Sequence, residues 1–364
     1  MKAIALRIGA DHVELIDIPE PALEEGQVMI KAVRSGICGT DREMVQRKAL
    51  DVPPGEDFLV LGHEGFGQIV DTRGDTGEFR KGDYVVPLVR RGCGRCNACN
   101  NGHADYCYTG LHTERGIHFQ HGFFSEYYSD RPQYLAKAEP EAADVAVLTE
   151  PLGVSVKASE TTLHALERVK FDGWYSQQGK IEKVLVGGHG PIGMLGMMLF
   201  HSMGFDVYVA GRRPEDDFQR DLIESIGVRY LRTDTGEVDQ FVEEHGGFFM
   251  ILEATGLSEL TFDLARYLGR NGALMLTGVP RHSKRIEIDG NDWMARLVRT
   301  NQIIVGSVNQ CPGCFDRALV ALGRFKELYP KVMSRIITSR FRPEEHEQAF
   351  AGKGKDEIKV VIEF

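Results

Sequence analysis

Two hydrophobic patterns follow one another along the chain. Up to about residue 150, short apolar stretches such as QVMIKAV, FLVLGHEGFGQIV and GDYVVPLV are separated by glycine- and proline-rich turns. This pattern predicts an antiparallel, partly barrel-like β domain, which opens with an edge-like alternating strand in MKAIALRIGADHVELIDIPEP. Around residues 151 to 170 the pattern predicts a helix, because apolar positions recur at helical spacing at Val154, Ala158, Leu163 and Leu166.

From Lys183 onwards the chain alternates between strands and helices. Six apolar runs stand out: KVLVGG, DVYVAGR, GVRYL, FFMILEATG, ALMLTGV and QIIVGSVN. Such runs are typical of a parallel sheet buried on both faces, and six of them fit a doubly wound dinucleotide-binding fold. After Asn309 come a helical stretch, FDRALVALGRFKELY, and a final strand that we expect to return to the first domain. The predicted domains are therefore 1–155 with 310–364, and 156–309.

A glycine-rich loop follows the first of these strands and leads into an apolar helix. This context gives a GxGxxG motif its meaning, because backbone N–H groups and the helix N-terminus can then hold a pyrophosphate. An ordinary strand-to-helix turn is the alternative. The predicted cofactor loop consists of Gly188, His189, Gly190, Pro191, Ile192 and Gly193.

Two arginines stand about 20 residues further on, where a dinucleotide fold reads the ribose 2′ position. An acidic residue there would favour NAD, whereas Arg212 and Arg213 would pair with a 2′-phosphate, for which Gly211 leaves room. The sequence therefore predicts NADP as the preferred cofactor, with NAD as a second option. In the alternative, both arginines form a solvated surface pair facing the acidic residues 215–217.

Composition narrows the class of protein. The 364 residues carry a net charge of -10, which argues against nucleic acid as a partner. No apolar run approaches the roughly 20 residues that a membrane span needs, and the N-terminus lacks the features of a signal peptide. We therefore expect a cytoplasmic protein with no membrane partner. Seven cysteines in a reducing compartment indicate metal sites rather than disulfides.

Four of the cysteines follow the spacing C-x2-C-x2-C-x7-C. Four thiolates close a tetrahedral shell around zinc, so this lobe predicts a structural zinc site. An iron–sulfur cluster and a nucleic-acid-binding zinc ribbon are the alternatives. The ligands would be Cys93, Cys96, Cys99 and Cys107. Two further cysteines form CPGC, at Cys311 and Cys314, which could bind metal or be redox-active, although a structural or incidental role is favoured.

Residues suited to a second zinc are scattered over three distant segments. Cys38, His63 and the carboxylate of Glu150 would make an open catalytic site with a place for water or substrate. Taken singly, each residue has an ordinary explanation: a small buried cysteine, a core histidine and a surface carboxylate at a helix start. Their spacing along the chain does not prove that they meet.

Several motifs occur in the order known from one superfamily. GICGTD, GHEGFG, the four-cysteine lobe, EPL and GHGPIG together resemble the zinc-dependent medium-chain dehydrogenase/reductase superfamily over essentially the whole chain. CGTDRE, FLVLGHE, VRRGCG, ERGIH, GRR and GSVN are similar to its archaeal-type glucose 1-dehydrogenase branch. The resemblance implies an α/β protein with a GroES-like β-rich catalytic domain plus a Rossmann doubly wound parallel-sheet cofactor domain.

The resemblance also implies ligands and contacts. Zinc would be held by Cys38, His63 and Glu150, with Glu64 contributing directly or through water. Beyond the glycine loop, the cofactor would contact Thr255, Val279 and Asn309. The chain would form a homodimer or homotetramer.

The implied sugar contacts are Thr40, Glu114, Glu150 and Asn309. Such side chains can fix several hydroxyl groups of a sugar ring. The ordinary alternatives are a turn hydrogen bond for Thr40, an exposed carboxylate for Glu114 and a strand-end turn for Asn309. This chain departs from some family members at three polar positions, which could change the preferred epimer; they are Val89, Val154 and Arg299.

The resemblance implies oxidation of an aldose at C1 to the lactone, with D-glucose favoured and galactose or xylose as other substrates. Zinc would polarise the anomeric hydroxyl, and hydride would pass to the nicotinamide. The proton would leave through Thr40, the cofactor ribose or water, with Glu43 and Glu64 as later acceptors. The rivals are a polyol, threonine or alcohol dehydrogenase with the same zinc, a zinc-free reductase, and a non-enzymatic zinc- or NADPH-binding protein.

Overall fold

The computed structural model describes residues 1–47, 50–169, 182–214, 217–280, 285–352 and 354–364. The chain forms two compact units. The first contains Met1–Gly153, Asn309–Arg324 and Arg335–Phe364, and the second contains Val154–Val308 and Phe325–Ser334. The domain boundaries at 155 and 310 stay a prediction. Within the described ranges, no helix is both long enough and apolar enough to cross a bilayer.

The first unit is rich in short, mostly antiparallel strands. One sheet has seven strands, in the order β11-β6-β5-β3-β19-β18 with β10 also paired to β3, and two sheets of three strands have the orders β2-β1-β4 and β7-β8-β9. The strands are β1 Lys2–Arg7, β2 Glu14–Asp17, β3 Gln27–Ile37, β4 Phe58–Val60, β5 Glu64–Arg73, β6 Tyr84–Pro87, β7 Arg90–Arg91, β8 Thr113–Arg115, β9 Phe119–Gln120, β10 Tyr127–Asp130, β11 Leu135–Ala138, β18 Ile337–Phe341 and β19 Lys359–Glu363.

Two local expectations for this unit are wrong. The N-terminal strand β1 is not an edge strand: it lies between β2 and β4, and its residues 3–6 are all buried. Antiparallel partners on both sides explain why the chain there does not need a solvated edge. The stretch FLVLGHEGFGQIV is also two strands, because the backbone turns at Gly62, which has φ +85°.

The second unit contains one sheet of six parallel strands. Their spatial order, β14-β13-β12-β15-β16-β17, is the doubly wound order of a Rossmann fold, and all five pairings are parallel. The predicted α/β fold class, a GroES-like β-rich part plus a Rossmann sheet, is therefore confirmed. The strands are β12 Lys183–Gly187, β13 Asp206–Gly211, β14 Arg229–Arg232, β15 Phe248–Glu253, β16 Leu268–Leu276 and β17 Ile303–Gly306.

The central strands of this sheet are buried on both faces, as their continuous apolar sequences require. Val184, Leu185 and Val186 of β12 are fully buried, as are Ile251 and Leu252 of β15. The α-helices of the chain are α1 Gly39–Arg47, α2 Asn97–Asn100, α3 Thr149–Leu166, α4 Pro191–Ser202, α5 Phe218–Ser225, α6 Glu237–His245, α7 Ser258–Ala265, α8 Gly290–Arg299, α9 Pro312–Leu328, α10 Pro330–Met333 and α11 His346–Phe350.

Candidate zinc and cofactor sites

Strand register in the first unit builds a cluster of three metal-ligand side chains. Gly36 of β3 pairs with Glu64 of β5, so Cys38, just after β3, lies beside His63 and Glu64. The ligand atoms of Cys38, His63 and Glu64 all lie within 4.8 Å of one another. A thiolate, an imidazole nitrogen and a carboxylate oxygen at this separation suit a zinc ion, whose bonds to such atoms are about 2.0–2.3 Å.

Asp41, in the first turn of α1, contacts several parts of this cluster. Its fully buried carboxylate accepts the backbone N–H groups of Cys38 at 2.8 Å and of Gly62 at 3.2 Å. The Nδ1 atom of His63 lies 3.4 Å from the same carboxylate, which leaves Nε2 for a metal. Burial lowers the pKa of His63, but the charges of Asp41 and Cys38 outweigh it and raise that pKa well above its usual value.

A buried ion pair fixes Glu64. The ammonium group of Lys359, at the start of β19, contacts the Glu64 carboxylate, and both side chains are 1% exposed. Lys359 also donates to the carbonyl of Ile37 at 3.1 Å, next to Cys38. Burial lowers the pKa of Lys359, whereas Glu64 and Cys38 raise it, with a net upward shift. Lys359 therefore neutralises the acidic cluster, a role that its sequence position did not indicate.

Glu150 is not one of the three clustered residues, but the charges of His63 and Glu64 affect its pKa. It lies in the first turn of α3 and is buried, and Gln310 donates from Nε2 to its backbone oxygen and to Oε1, both at 2.9 Å. Burial raises the pKa of Glu150 to about 7; His63 opposes the shift and Glu64 adds to it. The structure thus brings Glu150 near the cluster, and its role as a ligand stays a prediction.

Two of the four residues predicted to contact sugar, Glu114 and Asn309, are hydrogen-bonded to each other. Glu114 of β8 is buried, and its Oε1 atom accepts from Nε of Arg90 at 2.9 Å and from Nδ2 of Asn309 at 2.5 Å. Glu114 is therefore not an exposed carboxylate. Thr40, at the start of α1, has Oγ1 3.8 Å from Sγ of Cys38. Glu43 is paired with Arg47 on the same helix, so its part in proton transfer stays a prediction.

The four-cysteine lobe is assembled as its spacing predicts. The sulfurs of its cysteines lie within 4.8 Å of one another, and those of Cys93 and Cys99 are 3.7 Å apart. The backbone N–H of Cys99 points at the sulfur of Cys96, which caps α2. Four cysteine sulfurs with this separation fit a closed tetrahedral zinc site.

In the second unit, the glycine loop joins β12 to α4 with little room to spare. A Cβ atom on Gly193 would collide with the carbonyl oxygen of Gly188, so the helix can approach the strand only because residue 193 is glycine. Around Gly190, in contrast, a Cβ would meet nothing within 4 Å. Gly190 precedes α4, and Pro191 occupies its first turn, so backbone N–H groups there face open space suited to a phosphate.

The space beside Gly211 is used differently from our expectation. A Cβ on Gly211 would collide with the hydroxyl of Tyr230, which accepts the N–H of Arg213 at 2.8 Å. Gly211 thus makes room for a tyrosine rather than directly for a phosphate. The guanidinium of Arg213 binds Oδ2 of buried Asp217 at 2.9 Å, whereas Arg212 is exposed.

In the alternative interpretation, Arg212 and Arg213 form a surface pair that faces acidic residues. The contact between Arg213 and Asp217 agrees with that part of the alternative. Arg212 interacts electrostatically with Asp234, whose pKa it helps to lower. Residues 215 and 216, named in that alternative, lie outside the described residues.

Two further predicted cofactor residues, Thr255 and Val279, lie near the end of β15. Thr255 donates its N–H to Oε1 of Glu253 at 2.7 Å, and its methyl group packs against Gly188. The exposed residue Val279 has its backbone against Gly256. Sequence reasoning missed Glu253, which is buried and fixes this turn; a buried carboxylate ending a parallel strand is the signal that could have identified it.

A β-rich unit with a Cys–His–Glu cluster and a four-cysteine lobe, in one chain with a doubly wound sheet, defines the class of zinc-dependent medium-chain dehydrogenases. A family model described as "Alcohol dehydrogenase GroES-like domain" matches residues 24–140. A second model, "Glucose dehydrogenase C-terminus", matches residues 143–364. The chain therefore belongs to the glucose dehydrogenase branch of the zinc-dependent medium-chain dehydrogenase/reductase superfamily.

Individual relatives match this chain over almost their full length. A glucose 1-dehydrogenase of Metallosphaera sedula is 37% identical over 370 residues, which cover 100% of this chain and 99% of the relative. Glucose 1-dehydrogenase 1 of Vulcanisaeta moutnovskia is 34% identical with the same coverage. The solved structure of Haloferax mediterranei glucose dehydrogenase in complex with NADP, Zn and gluconolactone is 31% identical, with a TM-score of 0.89, and the match covers 100% of this chain and 99% of that one.

The buried pair predicts the stability of two variants. Lys359→Met leaves the Glu64 carboxylate buried without its partner and is expected to lower the free energy of unfolding by about 3–5 kcal/mol. The double variant Lys359→Met/Glu64→Gln removes both charges and should recover most of that loss. Urea unfolding of the zinc-loaded proteins measures both. A single variant as stable as the parent, or a double variant no better than the single one, would contradict this account.

Proposed function

We propose that this protein oxidises an aldose at C1 to the lactone, with D-glucose as the favoured substrate, and transfers hydride to NADP. One observation carries the proposal. Two consecutive residues, Asn309 and Gln310, hydrogen-bond the buried carboxylates of Glu114 and Glu150, respectively. A group suited to sugar hydroxyls is thus held by the same short segment as a carboxylate beside the Cys–His–Glu cluster. Binding a sugar with one hydroxyl at zinc requires both a group that holds the other hydroxyls and a carboxylate close to the zinc ligands.

The residues of the chain would share the work as follows. Cys38, His63 and Glu64 would hold zinc, with Glu150 as a further ligand; bound zinc lowers the pKa of a hydroxyl that reaches it. Lys359 keeps Glu64 in place and offsets its charge. Thr40, whose Oγ1 lies 3.8 Å from the sulfur of Cys38, would receive the hydroxyl proton and pass it to water.

The sugar-positioning group acts through fixed hydrogen bonds. Arg90 occupies one side of Oε1 of Glu114 and orients the carboxylate, so its remaining acceptor capacity can meet a hydroxyl group. Asn309 has φ +59°, a left-handed conformation that asparagine tolerates and that directs its amide to Glu114. Pre-oriented groups of this kind lower the entropic cost of positioning a sugar ring.

A substrate panel tests the reaction. Initial rates of NADP reduction on zinc-replete protein should be high with glucose, galactose or xylose, and absent with sorbitol, threonine and ethanol. Turnover restricted to a polyol or an alcohol would support the zinc chemistry but reject the sugar as substrate.

Glu114→Gln should lower kcat/KM for the aldose about tenfold or more, because a charge-assisted hydrogen bond is worth about 1.5–3 kcal/mol. Glu139→Gln, at an exposed glutamate, is the matched control and should leave kcat/KM unchanged.

Cofactor preference depends on the exposed arginine. Arg212→Gln should raise KM for NADP about 10–100-fold, the loss expected for one charge-assisted hydrogen bond to the 2′-phosphate, and should leave KM for NAD nearly unchanged. Arg270→Gln, an exposed arginine of β16, is the control and should change neither value. Equal effects of Arg212→Gln on both cofactors would show that this residue does not read the phosphate.

The assembly and location of the protein stay predictions. A homodimer or homotetramer is expected, and light scattering coupled to size-exclusion chromatography would decide between them.

A further inference from the structure

The CPGC segment is the one sequence motif that the dehydrogenase chemistry leaves unused. Cys311 immediately precedes α9, and Cys314 lies in its first turn. Their sulfurs are 2.9 Å apart, closer than an ordinary contact and about 0.9 Å from the S–S bond length of about 2.05 Å. A small movement therefore suffices to join them.

The two thiols differ in the way that thiol–disulfide exchange requires. Cys311 is half-buried and can meet a small molecule, whereas Cys314 is 1% exposed, so a small molecule does not reach it, and its sulfur lies against that of Cys311. The pKa of Cys311 is lowered to about 6, first by the thiol of Cys314 and then by its backbone N–H, against the opposing effects of burial and Asp105. A thiolate at a helix N-terminus is the usual attacking group of such pairs.

Charge at the second sulfur favours the closing step. The Nη2 atom of Arg317, one turn along α9, lies 3.6 Å from the sulfur of Cys314 and would stabilise it as a thiolate. A metal is a weaker explanation for the pair. Within the described ranges, the clusters that could hold a metal are the four-cysteine lobe and Cys38–His63–Glu64, and neither includes these two sulfurs.

We propose that Cys311 and Cys314 form a redox-active dithiol that a low-molecular-weight disulfide oxidises reversibly. The Cys311 thiolate attacks one sulfur of the incoming disulfide, which forms a mixed disulfide and releases one thiolate that takes up a proton. Cys314 then gives its proton to water and attacks the sulfur of Cys311. The internal disulfide forms, and the second small thiol leaves after protonation. Two electrons and two protons pass from the protein to the small disulfide.

The position of the pair gives the oxidation a consequence, which rests on the proposed function. Cys311 directly follows Asn309 and Gln310, whose side chains hold Glu114 and Glu150 at 2.5 and 2.9 Å. Movement of the segment would lengthen these hydrogen bonds, and displacements of about 1 Å near reacting groups can cost a hundredfold in rate. The oxidised protein should therefore bind the aldose more weakly, with KM raised several-fold and zinc retained.

Mass spectrometry of the zinc-loaded protein tests the chemistry without any activity assay. After incubation with glutathione disulfide, the wild-type peptide that contains residues 311–314 should lose two hydrogens, and dithiothreitol should restore them. In Cys314→Ser, a mixed disulfide of glutathione with Cys311 should accumulate. In Cys311→Ser, Cys314 should stay unmodified, because it is buried. These variants keep the reduced enzyme's activity, since neither thiol belongs to the proposed catalytic group.

Other results overturn the proposal. An unmodified wild-type segment under conditions that oxidise a small reference dithiol, or equal labelling of both single variants, would show that the pair is structural. Loss of zinc together with the modification would show damage to the metal sites instead. Clean oxidation with an unchanged KM would reject the regulatory consequence. Absence of aldose turnover in the reduced protein would reject the proposed function, while the mass change would still decide the redox chemistry.

Discussion

The register of three strands, β5, β3 and β19, is the constraint on which the zinc cluster depends. Glu64 pairs with Gly36 on one side of β3, and Val360 pairs with Ile37 on the other, so Lys359 reaches the carboxylate from the far end of the chain. A slip of one residue in either pairing would turn these side chains to the opposite face. The buried ion pair opposes such a slip, since a misplaced Lys359 or Glu64 would be a charge without a partner.

Much of the fold and part of the site could be predicted from the sequence because both leave local signals. The six parallel strands are continuous apolar runs, and the cysteine lobe is one short motif. The role of Lys359 could not be predicted, because it bonds to Ile37 from 322 residues away and no local spacing shows that pairing. Gly211 was expected to leave room for a phosphate, but the group beside it is the hydroxyl of Tyr230, which comes from a neighbouring strand. The buried strand β1 was mistaken for an edge because alternation does not reveal which partners lie beside it.

Both proposals involve the same six residues, Asn309 to Cys314. Their first two side chains hold Glu114 and Glu150, and their last four form the dithiol at the start of α9. The proposed sugar positioning, the contact with Glu150 beside the Cys38–His63–Glu64 cluster and the proposed response to oxidants therefore all involve this short segment. Asn309 has a positive φ there, which asparagine tolerates, and its amide donates a hydrogen bond to Glu114.

Zinc content in the wild type and in Cys38→Ser tests the central claim, that strand register creates a metal site separate from the four-cysteine lobe. Cys38 lies outside the lobe, so its loss should empty one site and leave the other filled. Atomic emission spectroscopy should find about two zinc ions per chain in the wild type and about one in Cys38→Ser, with aldose oxidation abolished and the far-ultraviolet circular dichroism unchanged. A wild-type protein with a single zinc ion would contradict the account. A Cys38→Ser variant that keeps two zinc ions and still oxidises the aldose would also contradict it.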